Sequence, residues 1–142
     1  MILAQEGIRE VYNKAGRVDL ALVTAGDLTD HLTMLELGLI SAQESKALKA
    51  PGAVGDLLGH YLNKDGEPVD HPLNRRVISL NLEDLRSIKK IMLVAGGLYK
   101  ADLIRAVLQR ELVHVLVTDE ATEGAGNQTV RNLVTAIAIP QR

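Results

Sequence analysis

Apolar residues in this chain gather into short unbroken runs, separated by segments with helical spacing. That alternation is typical of an α/β protein with a parallel sheet. Two of the runs end alike. Residues 91–100, IMLVAGGLYK, and 113–122, VHVLVTDEAT, each begin with an apolar stretch too short to cross a membrane, then break into small or polar residues where a helix can start. Buried parallel strands end in this way where their carboxyl ends meet a ligand. The pattern predicts strands over 91–95 and 113–117. Between them it predicts a helix over 98–110, with Leu98, Ala101, Ile104 and Leu108 on its apolar side.

Upstream, Ile8, Val11 and Tyr12 have helical spacing within 2–15, and Gly16 is a stop. A strand is expected over 18–23, VDLALV, followed by the break TAGD. A helix before the first strand is unusual for a doubly wound sheet. In 24–40, Leu32, Leu35 and Leu39 could share a helical face, whereas Gly26, Asp27 and Asp30 point to loop. Ser41 and Glu44 form a capping box, opening a helix that runs to about Lys49 and stops before Pro51. Residues 53–62 read as one strand and 63–66, NKDG, as a turn, with 67–71 returning antiparallel until Pro72. Residues 77–80 read as extended, and Asn81 caps a further helix. At the end, 123–127 reads as loop, and 130–139, stopped by Pro140, as strand or short helix. No internal repeat is visible.

Composition narrows the functional classes. The 142 residues suit one domain with a real core. Apolar residues make up 46% of the chain but aromatics only 2%, with three Tyr and no Phe or Trp, so the core must be aliphatic and stacking platforms for single-stranded nucleic acid are missing. A formal net charge of −2 gives no electrostatic footprint for DNA. There is no cysteine, hence no disulfide frame, thiol catalysis or cysteine-ligated metal, in keeping with a cytoplasmic protein. No membrane span or signal peptide is expected.

Candidate chemistry sits at the strand ends. Gly96, Gly97 and Lys100 bring bare backbone amides and a cation together, a combination suited to phosphate. The alternative is a tight turn with a solvated lysine; the spacing is neither that of a P-loop nor a dinucleotide fingerprint. Asp119 and Glu120 could accept from sugar hydroxyls, or merely cap the next helix. Asp56, inside the apolar VGDLLG, is a carboxylate that is costly to bury unless it is paired or faces a cavity, which makes it the acid most expected to touch a ligand. His31, His60, His71 and His114 lack metal-ligand spacing, Arg75 and Arg76 read as a solvated pair, and Ser41 and Ser79 have no nucleophile context. No catalytic constellation emerges, and no cofactor or metal is implied.

Together these residues resemble a family. GAVGDLLGHYLNKDGEPVDHPLNRRVISLNLEDLRSI, then MLVAGGLYKADLIRAVLQRELVHVLVTDEAT, with RVDLALVTAGDL ahead of them, are similar to the sugar-binding domain of SorC-type, DeoR-like transcriptional regulators. The resemblance implies a Rossmann-like, mostly parallel sheet flanked by helices with a β-hairpin insertion, akin to the sugar-phosphate isomerase and CoA-transferase group but lacking its first units. It implies a phosphorylated sugar effector, homo-oligomerisation, and operator DNA contact only through a domain absent from this chain. It places Gly96, Gly97 and Lys100 in the phosphate loop and Asp56 against the sugar, with Asp119 and Glu120 in the motif LVTDE. Residues 1–122 would be a partial effector-binding domain and 123–142 a divergent tail. The expected role is a binding module and not an enzyme; the rivals are a phosphosugar isomerase or deaminase of the same fold group, or a structural oligomerisation fragment.

Overall fold

In the computed structural model, which describes residues 2–29, 33–125 and 135–139, the strands form two sheets. Strands β1 (Leu20–Val23), β5 (Lys90–Val94), β6 (Val115–Asp119) and β7 (Thr135–Ile139) build a four-stranded parallel sheet in the order β1-β5-β6-β7. The second sheet is antiparallel and three-stranded: β2 (Ala25–Gly26), β3 (Ala53–Leu57) and β4 (His60–Asn63). The chain passes from one sheet to the other at Thr24. The carboxyl end of β1 is therefore continuous with the hairpin sheet.

Helix α6 (Ala101–Gln109), preceded by a 3-10 turn at Leu98–Lys100, lies between the sheets. It buries five of its nine residues, more than one face of a surface helix would require. Leu103, Ile104, Val107 and Leu108 join Ile91 and Leu93 of β5, Leu116 of β6 and Leu57 and Leu62 of the hairpin in the main core. The hairpin's other face carries a smaller core of Leu28, Ile40, Leu48, Tyr61 and Val69. Adjacent Tyr61 and Leu62 enter opposite cores, the period-2 alternation of a strand buried on both faces. Helix α6 ends without glycine: Glu111 takes φ 53, its amide bonds to Leu108 O at 3.0 Å, and the Leu112 amide bonds to Val107 O at 3.1 Å. This pair of bonds is a Schellman closure.

Short helices complete the frame. They are α1 (Glu6–Ala15), α2 (Thr33–Glu36), α3 (Ala42–Lys49), α4 (Pro72–Arg76), α5 (Leu82–Leu85) and α7 (Glu120–Ala125). The Ser41–Glu44 box forms as the sequence requires. The Ser41 backbone amide, then Arg76, then the Ser41 hydroxyl hold the Glu44 carboxyl down at about 2. Asn81 caps α5 by accepting from the Asp84 amide at 2.7 Å.

Several expectations need correcting. Residues 53–62 are not one strand. The chain reverses at Leu58-Gly59, with φ 54 and 82, as a two-residue type I′ turn requires. The expected turn at 63–66 also exists, but the return over 67–71 is reduced to one bridge, Leu62 to Pro68, and two flanking backbone bonds. Asn74 takes the place of a full partner strand there. It accepts from the Tyr61 amide at 2.7 Å and donates to the carbonyls of Tyr61 and Val69 at 3.0 and 2.8 Å. Pro72 opens a helix capped by the His71 ring and does not merely end a strand. Residues 77–80 form no strand, and the loop expected from 123 is helical to Ala125. The end of the chain, open between strand and helix, is a strand over Thr135–Ile139. Asp30, His31, Leu32, Asn127, Val130 and Pro140, which figured in those expectations, lie outside the described residues. Leu39, expected on an apolar helical face, is exposed.

Replacing Asn74 with Ala takes the acceptor from the Tyr61 amide and the side-chain donor from the Tyr61 and Val69 carbonyls, the former keeping only its bond from the Val69 amide, and is expected to destabilise the fold by about 1–3 kcal/mol. Urea unfolding should show a lower midpoint at unchanged slope. A midpoint equal to wild type would mean that water takes over all three bonds.

Candidate functional site

A cavity of about 420 Å³ opens where β1 gives way to β2, beyond the carboxyl end of the parallel strand. Open α/β sheets bind ligands at such places. Residues 22–27 form one wall, Thr33 and Met34 a second, and Asp56, Leu58 and Lys100 the rest. Asp56 and Lys100, far apart in sequence, thus face one space.

Local backbone places each of them. Asp56 pairs with Gly26 across β3 and β2. A Cβ on Gly26 would run into the Asp56 carboxylate, so only glycine lets that carboxylate lie across the strand. The tight Leu58-Gly59 turn brings the Gly59 amide back to donate to Asp56 Oδ2 at 2.9 Å. Burial pushes the Asp56 carboxyl above the ordinary range. The Gly59 amide opposes this, the neighbouring Asp27 charge adds to it, and Lys100 and His60 oppose it more weakly. Lys100 ends the 3-10 turn, half-buried, with its ammonium 5.8 Å from the Tyr99 ring centroid. It makes no ion pair with any described residue.

The other expected site residues lie apart from this cavity. The Gly97 amide does not point into open space: it donates to Asp119 Oδ2 at 2.7 Å and to Thr122 Oγ at 2.9 Å. Asp119 also caps α7, accepting from the Thr122 amide at Oδ1, 2.9 Å, and from the Thr122 hydroxyl at Oδ2, 2.7 Å. The Thr122 hydroxyl first, then the Thr122 and Gly97 amides, hold the Asp119 carboxyl below the usual range. A Cβ on Gly96 would clash with Asp119 Oδ2. Glu120 is exposed in the first turn of α7. Gly96, Gly97, Asp119 and Glu120 therefore stand together at the ends of β5 and β6, while Asp56 and Lys100 face the cavity.

The sequence reading passed over Thr24, Gly26 and Asp27 as loop. The available signal was that VDLALV breaks into TAGD much as IMLV breaks into AGG. It also passed over a Ser–His contact, Ser79 Oγ to His60 Nε2 at 3.0 Å. That contact is not a nucleophile pair. His60 Nε2 lies 2.9 Å from the Leu80 carbonyl, which needs a proton on that nitrogen, and the Ser79 hydroxyl donates to Leu58 O at 2.7 Å. The pair ties residues 79–80 to the hairpin turn. Arg75 and Arg76 are engaged by Asp70 and Glu44 at 2.6 and 2.8 Å. His71 and His114 are engaged with backbone amides. No three potential metal ligands cluster among the described residues.

Fold and site together define an α/β ligand-binding domain. Residues 1–125 match the family described as "Putative sugar-binding domain", and the chain belongs to that family. It is 38% identical over 128 residues to the transcriptional regulator LsrR of Enterobacter sp. (strain 638), covering 87% of this chain and 40% of that protein. With the erythritol catabolism regulatory protein EryD of Brucella abortus (strain 2308) it shares 34% identity over 125 residues, covering 88% of this chain and 39% of that one. A DeoR family transcriptional regulator from Listeria monocytogenes superimposes with a TM-score of 0.81 at 31% identity, over 86% of this chain and 50% of its own. The full-length sorbitol operon regulator SorC from Klebsiella pneumoniae agrees in fold, with a TM-score of 0.77 at 23% identity over 87% of this chain and 40% of its own. The resemblance to SorC-type, DeoR-like sugar-binding domains thus holds. The chain spans about 40% of the length of the curated relatives it matches. No helix among the described residues is long and apolar enough to cross a membrane.

The Asp56 environment carries a pH signature. A folded-state pKa above the unfolded one means that the neutral acid is favoured in the fold. Its stabilising contribution is full below the ordinary carboxylate pKa of about 3.9 and is lost as pH rises through the raised value. Asp56→Asn removes that loss, so the variant should melt above wild type at pH 7, with the gap closing toward pH 4. Thermal melts across this range test it. A variant melting below wild type at neutral pH would show that the carboxylate is net stabilising where it lies.

Proposed function

We propose that the chain binds a phosphorylated sugar as the effector of a transcriptional regulator. The observation that carries this reading is the convergence of one cation and one acceptor-rich carboxylate, Lys100 and Asp56, on a single cavity at the carboxyl edge of a parallel sheet. The ammonium suits the phosphate and the carboxylate suits hydroxyl donors. Gly96 and Gly97 shape the turn that leads to Lys100, and Glu120 flanks it. The relatives named above are regulators of transcription, which favours a binding module over a phosphosugar isomerase or deaminase. Operator contact falls to the portion of those relatives that this chain does not match, and the setting is the bacterial cytoplasm.

Self-association belongs to the same reading. Leu20, Leu22 and Val94 are exposed on alternate positions of β1 and β5, an apolar strip on one face of the sheet. A dimer or larger species is expected in sedimentation; a monomer at all concentrations would contradict it.

The site is tested by titration calorimetry with a panel of sugar phosphates and with inorganic phosphate. Lys100→Ala should cost about 1.5–3 kcal/mol, one to two decades in affinity, for every phosphorylated ligand. Asp56→Asn should weaken sugar phosphates while leaving inorganic phosphate nearly unchanged. Equal binding of all ligands by wild type and both variants would place the site elsewhere. Turnover of a phosphosugar would favour an enzyme.

A further inference from the structure

We infer that Asp119 is a positioning residue that contacts no effector and instead fixes the Gly96-Gly97 turn so that Lys100 is held at the cavity. The inference rests on the reading of that cavity as the phosphosugar site, and it gives the acid of the TDE motif a different task from the sugar contact expected of it.

The argument follows a chain of contacts. Asp119 stands at the end of β6 and Lys100 three residues beyond the end of the Gly96-Gly97 turn. Both Asp119 oxygens accept from protein donors: Oδ1 from the Thr122 amide, and Oδ2 from the Gly97 amide and the Thr122 hydroxyl. Thr122 Oγ accepts from the same Gly97 amide, so Gly97, Asp119 and Thr122 close a ring of hydrogen bonds between the strand ends. Thr122 is 3% exposed, which keeps water from competing for the hydroxyl's share of that ring. From Gly97 the constraint passes to Lys100 by two routes. The Lys100 amide donates to Gly97 O at 2.9 Å, closing the turn. The Tyr99 ring packs against the Gly97 α-carbon, where a Cβ would strike it, and the Lys100 ammonium lies over the same ring. Both glycines are explained by this geometry. Gly96 makes room for the Asp119 carboxylate, and Gly97 takes φ 101, a conformation that L side chains rarely adopt.

A double-mutant cycle separates positioning from contact. The Kd of a sugar phosphate is measured for wild type, Asp119→Ala, Lys100→Ala and the double variant. Thr122→Val serves as a second probe of the ring that keeps the side-chain volume. Asp119→Ala should weaken binding about tenfold or more in the wild-type background, since the charge-assisted contact is misplaced, and add little once Lys100 is gone. Asp119→Asn, which keeps one acceptor for the Gly97 amide, should recover part of the loss. Full additivity would mean that Asp119 touches the ligand itself, and the inference falls. It falls equally if Asp119→Ala and Thr122→Val disturb the Gly97 amide resonance but leave Kd unchanged. If wild type takes up no sugar phosphate, the functional reading fails. Positioning is then judged on the Lys100 side-chain resonances, ring-shifted by Tyr99: displacement in Asp119→Ala and Thr122→Val supports it, and unchanged shifts overturn it.

Discussion

Asp56 lies on β3 directly opposite Gly26, two residues after the chain crosses from the parallel sheet into the hairpin sheet. Burial disfavours its charge, and a glycine across the ladder plus one turn amide keep the carboxylate in place. Much of the architecture serves that placement. The Leu58-Gly59 turn delivers the amide, and Ser79 and His60 pin residues 79–80 against the turn. Packing of α6 on both sheets sets the hairpin against the parallel strands. A carboxylate held this way, with no ion pair among the described residues, is disfavoured in its charged form, at some cost to the stability of the free protein.

The ends of β5 and β6 are built on different physics. Asp119 accepts three hydrogen bonds, one from the Gly97 amide and two from the amide and hydroxyl of Thr122, and its charge is favoured. Two acids, one inside the hairpin strand β3 and one at the end of β6, thus have opposite environments. One is destabilised and faces a cavity; the other is satisfied and ties two strands together.

Much of the frame was legible because it rests on local rules. The two apolar runs became β5 and β6 within two residues, the Ser41–Glu44 box formed, and a helix followed the first run, although Leu98 of the expected apolar stripe is exposed in the 3-10 turn ahead of α6 and the helix buries more than one face. The hairpin was misread for a physical reason. NKDG has the stronger turn chemistry, but the chain reverses first at Leu58-Gly59, where a leucine adopts positive φ because cores on both faces of the hairpin hold the strands around it. Tertiary packing overrode turn propensity there. Asp56 stood out as a charge in an apolar run. Gly26 as its steric counterpart did not, because the pairing of 26 with 56 depends on a register that no local signal shows. Asp119 was ambiguous between cap and ligand in sequence; its bonds to Thr122 and Gly97 are what the fold adds.

The central claim is that Asp56 and Lys100 bind the two ends of one phosphorylated sugar. Amide-resolved NMR titration of the wild-type chain with a panel of sugar phosphates tests it most directly. The account predicts saturable shifts, for at least one sugar phosphate, centred on Gly26, Asp56, Gly59 and Lys100, with inorganic phosphate moving Lys100 but not Gly26 or Gly59. Saturable shifts centred elsewhere, or none with any sugar phosphate, would contradict it.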